Sequence, residues 1–369
     1  MQNSEQYTAQ NPDPSLALAE AFEAQEAAAP FALGRQYAFS FKGTAAEYFG
    51  IWIVNILLTI ITLGFYAPWA KVRRLRYFYG NTWFIQRRFD FTGVPVKILA
   101  GRIIALLVYG AFTYAMNHSA SMVLGGLLLI FFAVPWLVRS SIRFRARNSK
   151  FGNSRFFFAG SNKSAYWCFL KCVLVTVFTA GLFFPVAVWL YKRECLNQLY
   201  AGQLNFQLNA DWPAYMRAMY MPVFLFIGAV ALLAAVLALL FSTTSGLSLS
   251  HYAGMFGAGY LAAYLLIWPL MLARIFITSW NSTTLNRSQF TTDCNQWRYA
   301  WIIMSNWLAK IISLGLLTPW AAIRLYKYQA ESLKLVLIDH PDHLINQLQQ
   351  DHSAIAEELS DIFDLDISL

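Results

Sequence analysis

One pattern recurs three times in this 369-residue chain: a long apolar run, then a glycine, a proline and basic residues. The glycine–proline pairs are Gly64 with Pro68, Gly181 with Pro185, and Gly315 with Pro319. Glycine permits backbone angles that other residues avoid, and proline removes a hydrogen-bond donor. We therefore predict helix breaks at these six residues, in a protein assembled from repeated units.

Composition indicates that the apolar runs lie in a membrane. The chain is 58% hydrophobic and 13% charged, whereas soluble domains carry roughly 25% charged residues. A helix needs about 20 apolar residues to cross a bilayer. Seven runs are near or above this length, at about 45–66, 97–116, 120–138, 164–190, 220–242, 253–273 and 299–320. We expect an all-α polytopic membrane protein with about seven hydrophobic helices in repeated units.

Short segments in which phenylalanine alternates with other residues precede five of the runs. They begin at Phe39, Phe89, Phe156, Asn205 and Gln289. Alternation of this kind is typical of short strands with one apolar face. The segments either pair into a small sheet on the membrane surface or remain separate at the interface, and the sequence leaves both alternatives open.

Charge divides the chain into tails and a body. Fourteen of the nineteen acidic residues lie in the two tails, whereas the body holds 26 of the 28 basic residues. We predict a mobile acidic N-terminal tail at 1–36, a repeat unit of three runs at 37–138 and a second at 139–273. A terminal half repeat follows at 274–328, and an acidic amphipathic C-terminal tail at 329–369.

Two membrane topologies fit this pattern. Seven crossings would place the basic segments 70–97 and 139–163 in the cytoplasm, in agreement with the positive-inside rule. The alternative keeps the five phenylalanine-rich segments on one side, so the runs ending at Gly64, Gly181 and Gly315 turn back within the membrane. Broken backbone is tolerated there only where protein or water covers it. We favour seven crossings.

Polar residues within the apolar runs are the candidates for a membrane site. Asn55 and Asn306 occupy equivalent places before their glycines, and Lys171 and Lys310 are the basic residues deep within runs. The asparagines either join neighbouring helices or line a central polar site. The lysines either bind an anion or extend to the interface.

Basic and aromatic residues follow the breaks and are predicted to contact anionic lipid headgroups. They are Trp69, Lys71, Arg73, Arg74, Arg76, Arg139, Arg143, Arg145, Arg147, Trp320 and Arg324. Tryptophan prefers the headgroup level and arginine can extend to it. Because the basic residues flank apolar runs, we expect lipid and not nucleic acid as the partner. The C-terminal tail is expected to face the cytosol, where it either folds back on the basic face of the protein or binds a partner.

No catalytic or cofactor motif is present. The chain lacks a nucleotide-binding loop, a nucleophile elbow and a zinc-protease signature. Its four cysteines have no metal-ligand spacing. We expect no cofactor, no metal and no enzymatic activity.

The stretch from Tyr48 through Gly64 to Tyr77, with the lead-in Phe39–Gly43, resembles the YjgN-like family of bacterial inner-membrane proteins. The resemblance covers residues 37–330. It implies a multi-pass protein of the bacterial cytoplasmic membrane, and no family catalytic residues carry over. Our first functional hypothesis is a transporter or channel for a small solute or a lipid-related molecule. The alternative is a non-transporting scaffold that interacts with lipid.

Overall fold

The computed structural model describes residues 35–117, 120–152, 154–243 and 249–338. Of the two predicted tails, residues 35–36 and 329–338 lie within these ranges, in β1, the end of α10 and β11. The rest of both tails lies outside the described residues and stays a prediction. Within the ranges the chain forms ten helices and eleven strands. The helices are α1 Ala45–Ile61, α2 Ala67–Gly80, α3 Pro95–Met116, α4 Ala120–Asn148, α5 Asn162–Phe178, α6 Phe184–Asn197, α7 Trp212–Thr243, α8 Leu249–Asn281, α9 Gln296–Ile312 and α10 Thr318–Glu331. The strands are β1 Gln36–Ala38, β2 Ser40–Phe41, β3 Thr82–Phe84, β4 Arg87–Phe91, β5 Ser149–Phe151, β6 Ser154–Phe158, β7 Leu199–Ala201, β8 Leu204–Leu208, β9 Thr283–Leu285, β10 Ser288–Thr292 and β11 Leu333–Val336.

The strands form one antiparallel sheet that closes on itself. From β2 to β11 each strand pairs with its neighbour in the chain, and β1 pairs with β11. Only Phe39 separates β1 from β2, and its amide donates to the carbonyl of Leu333 at 3.1 Å. The first segment therefore joins both ends of the sheet. The result is a small barrel, and closure removes the exposed edges that an open sheet would present.

The described ranges repeat the order strand, helix, helix, strand in five units: unit 1 at 36–84, unit 2 at 87–151, unit 3 at 154–201, unit 4 at 204–285 and unit 5 at 288–336. In each unit the opening and closing strands pair antiparallel. The chain consequently leaves the barrel into the first helix of a unit and returns from the second helix at the same edge of the barrel. Each helical hairpin packs against the next, and α10 packs against α1, which closes a ring of helices above that edge.

Units 2 and 4 are long, whereas units 1, 3 and 5 are short. Helices α3, α4, α7 and α8 are long and apolar enough to cross a membrane. Helices α1, α5 and α9 have 17 residues each. At about 1.5 Å per residue these are shorter than the ~30 Å hydrocarbon core. At the tips of the short hairpins, Leu63 is 92% exposed and Leu314 is 94% exposed, which fits tips that lie within lipid.

The prediction of an all-α protein with about seven hydrophobic helices is therefore wrong. The runs that end at Gly64, Gly181 and Gly315 are too short to cross and reverse instead. The phenylalanine-rich segments pair with short strands that follow the helices, so a sheet is a main part of the fold. The alternative topology, with these segments on one side, agrees with this architecture. The predicted boundaries at residues 138 and 273 lie inside α4 and α8.

Hydrogen bonds within the turn hold each reversal. In unit 5 the amide of Gly315 donates to the carbonyl of Lys310 at 2.7 Å, and Ser313 Oγ accepts from the amide of Leu317 at 3.0 Å. The same two bonds recur in unit 1 with Gly64 and Thr62, and in unit 3 with Gly181 and Thr179. Lipid offers no partner for backbone groups, so this internal bonding lets a broken helix lie in the membrane.

We expect Gly315→Ala to destabilise the protein, because Gly315 has φ of 91°. A residue with a Cβ in left-handed backbone costs about 1–2 kcal/mol, so the thermal midpoint in detergent should fall by a few degrees. The matched control is Gly254→Ala in α8, where an added Cβ meets no atom within 4 Å. Alanine is the better helix former, so the control should keep or raise the midpoint. Equal midpoints for the two variants would contradict the proposed role of the turn.

Candidate functional site

Each of the five opening segments carries one phenylalanine whose ring lines the barrel interior, on a strand in units 2 to 5 and between β1 and β2 in unit 1. Going round the barrel, these are Phe39, Phe89, Phe156, Phe206 and Phe290. Successive ring centroids lie 6.2, 6.4, 6.4 and 6.0 Å apart, and Phe290 to Phe39 closes the circle at 6.4 Å. We call this closed pentagon the phenylalanine ring. It forms because side chains at one position of successive strands share one face and one level of the sheet.

A cavity of about 400 Å³, the axial chamber, surrounds the phenylalanine ring inside the barrel. It reaches the ends of the second helices, where Tyr79 and Trp280 face it. Its described lining is otherwise apolar except for Arg145 and Ser149. Apolar cavities of this kind stay dry and accept apolar ligands. The chamber is therefore suited to a hydrocarbon or aromatic group.

A second cavity of about 420 Å³ lies between α2 of unit 1 and helices α9 and α10 of unit 5. We call it the basic cleft. Lys71, Arg74 and Lys310 line it together with Asn306, and the described lining residues include no Asp or Glu. Tyr79 lines both the cleft and the axial chamber. The two cavities are therefore immediate neighbours, one cationic and one apolar.

Positive charges from outside the cleft lining also act on Lys71. Burial lowers the pKa of Lys71 below its ordinary value of 10.5, and the positive charges of Arg145 and Arg102 lower it further. Arg145 lines the chamber and Arg102 lies on α3, so cations of three helices act on one place. Such a field attracts anions.

Of the four residues predicted for a polar membrane site, the structure brings two into one cavity. Asn306 and Lys310 line the basic cleft. The Asn306 side chain donates to the carbonyl of Ala321 at 3.0 Å. Asn55 is buried on α1, and its Oδ1 has no hydrogen-bond partner among the described residues. Lys171 is exposed on α5. Asn55 and Asn306 therefore do not share a cavity.

The residues predicted to contact headgroups fall into different places. Lys71 and Arg74 face the basic cleft, and Arg145 faces the chamber. Arg73 packs on the ring of Tyr66. Arg143 is buried and Arg147 is half-buried. Trp69 and Trp320 lie on the second helices of units 1 and 5.

Three arginines of the predicted set bond to protein groups. Arg76 donates to the carbonyls of Phe91 at 3.2 Å and Gly93 at 3.3 Å, so α2 of unit 1 holds the opening strand of unit 2. Arg139 donates to the carbonyl of Gly160 at 2.7 Å and links units 2 and 3 in the same way. Arg324 donates to Ser305 Oγ at 2.6 Å within unit 5. These bonds give the three residues a structural role.

Sequence reasoning did not identify Arg102, Tyr79 or Gln329. One usable signal was the constant spacing between a proline and the closing strand. The aligned pairs are Pro68 and Thr82, Pro135 and Ser149, Pro185 and Leu199, Pro269 and Thr283, and Pro319 and Leu333. This alignment places Tyr79 level with Ala146, Leu196 and Trp280, which all line the chamber.

A model of a family described as bacterial protein of unknown function (DUF898) matches residues 36–362. The chain belongs to this family. Proteins named Inner membrane protein YjgN are similar to this chain. The protein of Escherichia coli K12 is 33% identical over 155 residues, 40% of this chain and 38% of that protein. Its counterpart in Escherichia coli O157:H7 is 32% identical over 152 residues, with the same coverage.

The Salmonella typhimurium protein of the same name is 29% identical over 130 residues, 34% of this chain and 32% of its own length. The chain thus spans less than two fifths of these relatives. No solved structure matches the chain. The predicted relation to the YjgN-like family is confirmed. Together with the four long apolar helices, the relatives identify this chain as a membrane protein.

Proposed function

We propose that this protein is a transporter for a lipid-related molecule in the bacterial cytoplasmic membrane. The axial chamber carries the proposal. Its volume of about 400 Å³ lies within the ~300–1,000 Å³ typical of ligand sites. Its apolar lining suits the hydrocarbon part of a lipid. The two long hairpins and three short ones would then hold the chamber at the membrane surface.

An apolar molecule is a better substrate than an ion. The phenylalanine ring narrows the barrel with five aromatic side chains, and hydrophobic constrictions exclude hydrated ions because they dewet. We also propose that the protein is not an enzyme. The polar groups described in the chamber lining, Arg145 and Ser149, do not form a pair of acid and base.

We place the barrel on the cytoplasmic side. Arg145, Arg147 and Lys150 lie where α4 meets the sheet. By contrast, the links at 117–119 and 242–251 contain no Lys, Arg, Asp or Glu. Because basic segments stay in the cytoplasm, this distribution supports a cytoplasmic barrel. Anionic headgroups remain the proposed lipid partners, and a cytosolic protein the proposed partner of the C-terminal tail.

Filling the chamber tests the proposal. Ala201 lines it and is buried, so Ala201→Phe should occupy space that a ligand needs. We expect at least about a tenfold loss of affinity, or about 1.4 kcal/mol, for a fluorescent single-chain lipid in reconstituted vesicles. The rate of lipid movement across those vesicles should fall in parallel.

Ala159→Phe is the matched control, since Ala159 follows β6 and is exposed. It should bind and move the lipid as the unmodified protein does. Ala201→Phe protein that melts normally and still binds and moves the lipid at full strength would rule out the chamber. The scaffold alternative would then be favoured.

A further inference from the structure

The basic cleft brings together cations that are far apart in the chain. Lys71 and Arg74 lie one turn apart on α2, so their side chains share one face of that helix. Lys310 comes from the last turn of α9. All three line a cavity of about 420 Å³ whose described lining includes no carboxylate. This arrangement concentrates positive charge where an anion can enter.

Nearby polar groups in the cleft are bonded to protein atoms. Gln329 donates to the hydroxyl of Tyr299 at 2.6 Å, and the hydroxyl of Tyr326 bonds to Thr82 Oγ1 at 2.9 Å. The amide of Asn306 is fixed on the carbonyl of Ala321. These bonds hold the walls of the cleft in place.

Lys71 also experiences the charges of Arg145 and Arg102, which together with burial lower its pKa. Lysine and arginine both bind phosphate, arginine through its fork of donors and lysine as a point charge. The cleft therefore has the chemistry of a phosphate site.

A lipid chain gains little by leaving the bilayer for the chamber, because lipid tails are as apolar as the chamber wall. Selection must then come from the headgroup. Since Tyr79 lines both cavities, a chain in the chamber places its headgroup beside the cleft. We infer that the basic cleft binds the phosphate of a single-chain anionic lipid whose chain occupies the axial chamber. This inference rests on the proposed function and names its substrate class.

The test compares two probes with the same acyl chain and glycerol, 1-oleoyl lysophosphatidic acid and 1-oleoyl glycerol. Their binding to the full chain is measured by native mass spectrometry from detergent. We expect the phosphate-bearing probe to bind at least tenfold more tightly. Lys71→Gln with Arg74→Gln, and separately Lys310→Gln, should reduce its affinity to that of the neutral probe. Neither change should alter binding of the neutral probe.

Arg73→Gln is the matched control, because Arg73 lies between the two residues on α2 but lines a different cavity. It removes the same charge and should leave both affinities unchanged. Lys71→Arg should retain binding, which separates loss of charge from misfolding. Melting temperatures confirm that each variant is folded.

Equal binding of the two probes to the unmodified protein would overturn the phosphate site and leave the chamber proposal standing. Binding of neither probe would overturn both. Inorganic phosphate is tested alone as well. If it bound as tightly as the lysophospholipid, the cleft would be a site for free phosphate and the lipid assignment would be wrong.

Discussion

Single cysteines at Ser161, Gln203 and Arg287 are expected to share one side of the membrane, opposite to cysteines at Asn117 and Ser250. The first three lie on the barrel side of units 3, 4 and 5, whereas the last two flank the links of the long hairpins. All helical hairpins leave the same edge of the barrel, so its strands cannot be divided between two compartments. The expected labelling difference is all or none.

The measurement uses an impermeant maleimide on a chain that lacks its four native cysteines, in right-side-out and inverted vesicles. Only Asn117→Cys and Ser250→Cys should react in right-side-out vesicles, and the pattern should reverse in inverted ones. A detergent-solubilised sample, in which all five react, serves as the control. Labelling of Gln203→Cys and Arg287→Cys from outside while Ser161→Cys is protected would restore seven crossings and exclude the closed sheet.

A double-mutant cycle at Phe91 and Gly93 is expected to show strong coupling. The ring of Phe91 is fully buried and lies over Gly93. A Cβ on Gly93 would overlap that ring and come within 3.3 Å of Phe144 Cζ. Gly93→Ala should therefore lower the free energy of unfolding by about 1–3 kcal/mol, the usual cost of overpacking.

Unit 4 carries the compensated pair naturally, since Leu208 and Ala210 stand where units 1 to 3 have phenylalanine and glycine. Phe91→Leu removes the ring that an alanine would meet. The double variant should lose less stability than the two single variants together, with a coupling of about 0.5–3 kcal/mol. Unfolding in detergent–denaturant mixtures measures all four proteins.

Gly50→Ala is the control, because an added Cβ there meets no atom within 4 Å. It should show no coupling with Phe91→Leu. Strictly additive effects at Phe91 and Gly93 would mean that the glycine is required for another reason. The cycle thus tests why the motif phenylalanine–x–glycine ends an opening strand.

The local sequence pattern was sufficient to predict the opening strands but not to predict how they pair into a closed sheet. Alternation of apolar and polar residues around Phe89 and Phe206 indicates strands because it extends over several residues. The closing strands, such as Thr82–Phe84 and Leu333–Val336, have three or four residues and directly follow helices. They are too short for a periodic pattern to reveal them. Closure depends on Gln36 pairing with Val336, a contact between residues near opposite ends of the described chain.

Contacts between distant parts of the chain also decide where the basic cleft forms, and local sequence pattern does not reveal them. A glycine and a proline after an apolar run look alike whether the chain crosses the membrane or reverses, and helix length distinguishes the two outcomes. Lys71 and Lys310 were each selected for their charge, but nothing local connects α2 with α9. Their meeting follows from the closure of the barrel, which brings unit 5 next to unit 1.

The number of units has a consequence for symmetry. Short and long units alternate around the barrel. In a closed ring, strict alternation of two kinds of unit requires an even number of units. The described chain has five units, so two of the same kind must adjoin once. Units 5 and 1 are this pair, both short, and the basic cleft lies at their junction. The odd count therefore gives a nearly fivefold ring one unique sector, thin in helices on the membrane side, where a lipid can approach from the side.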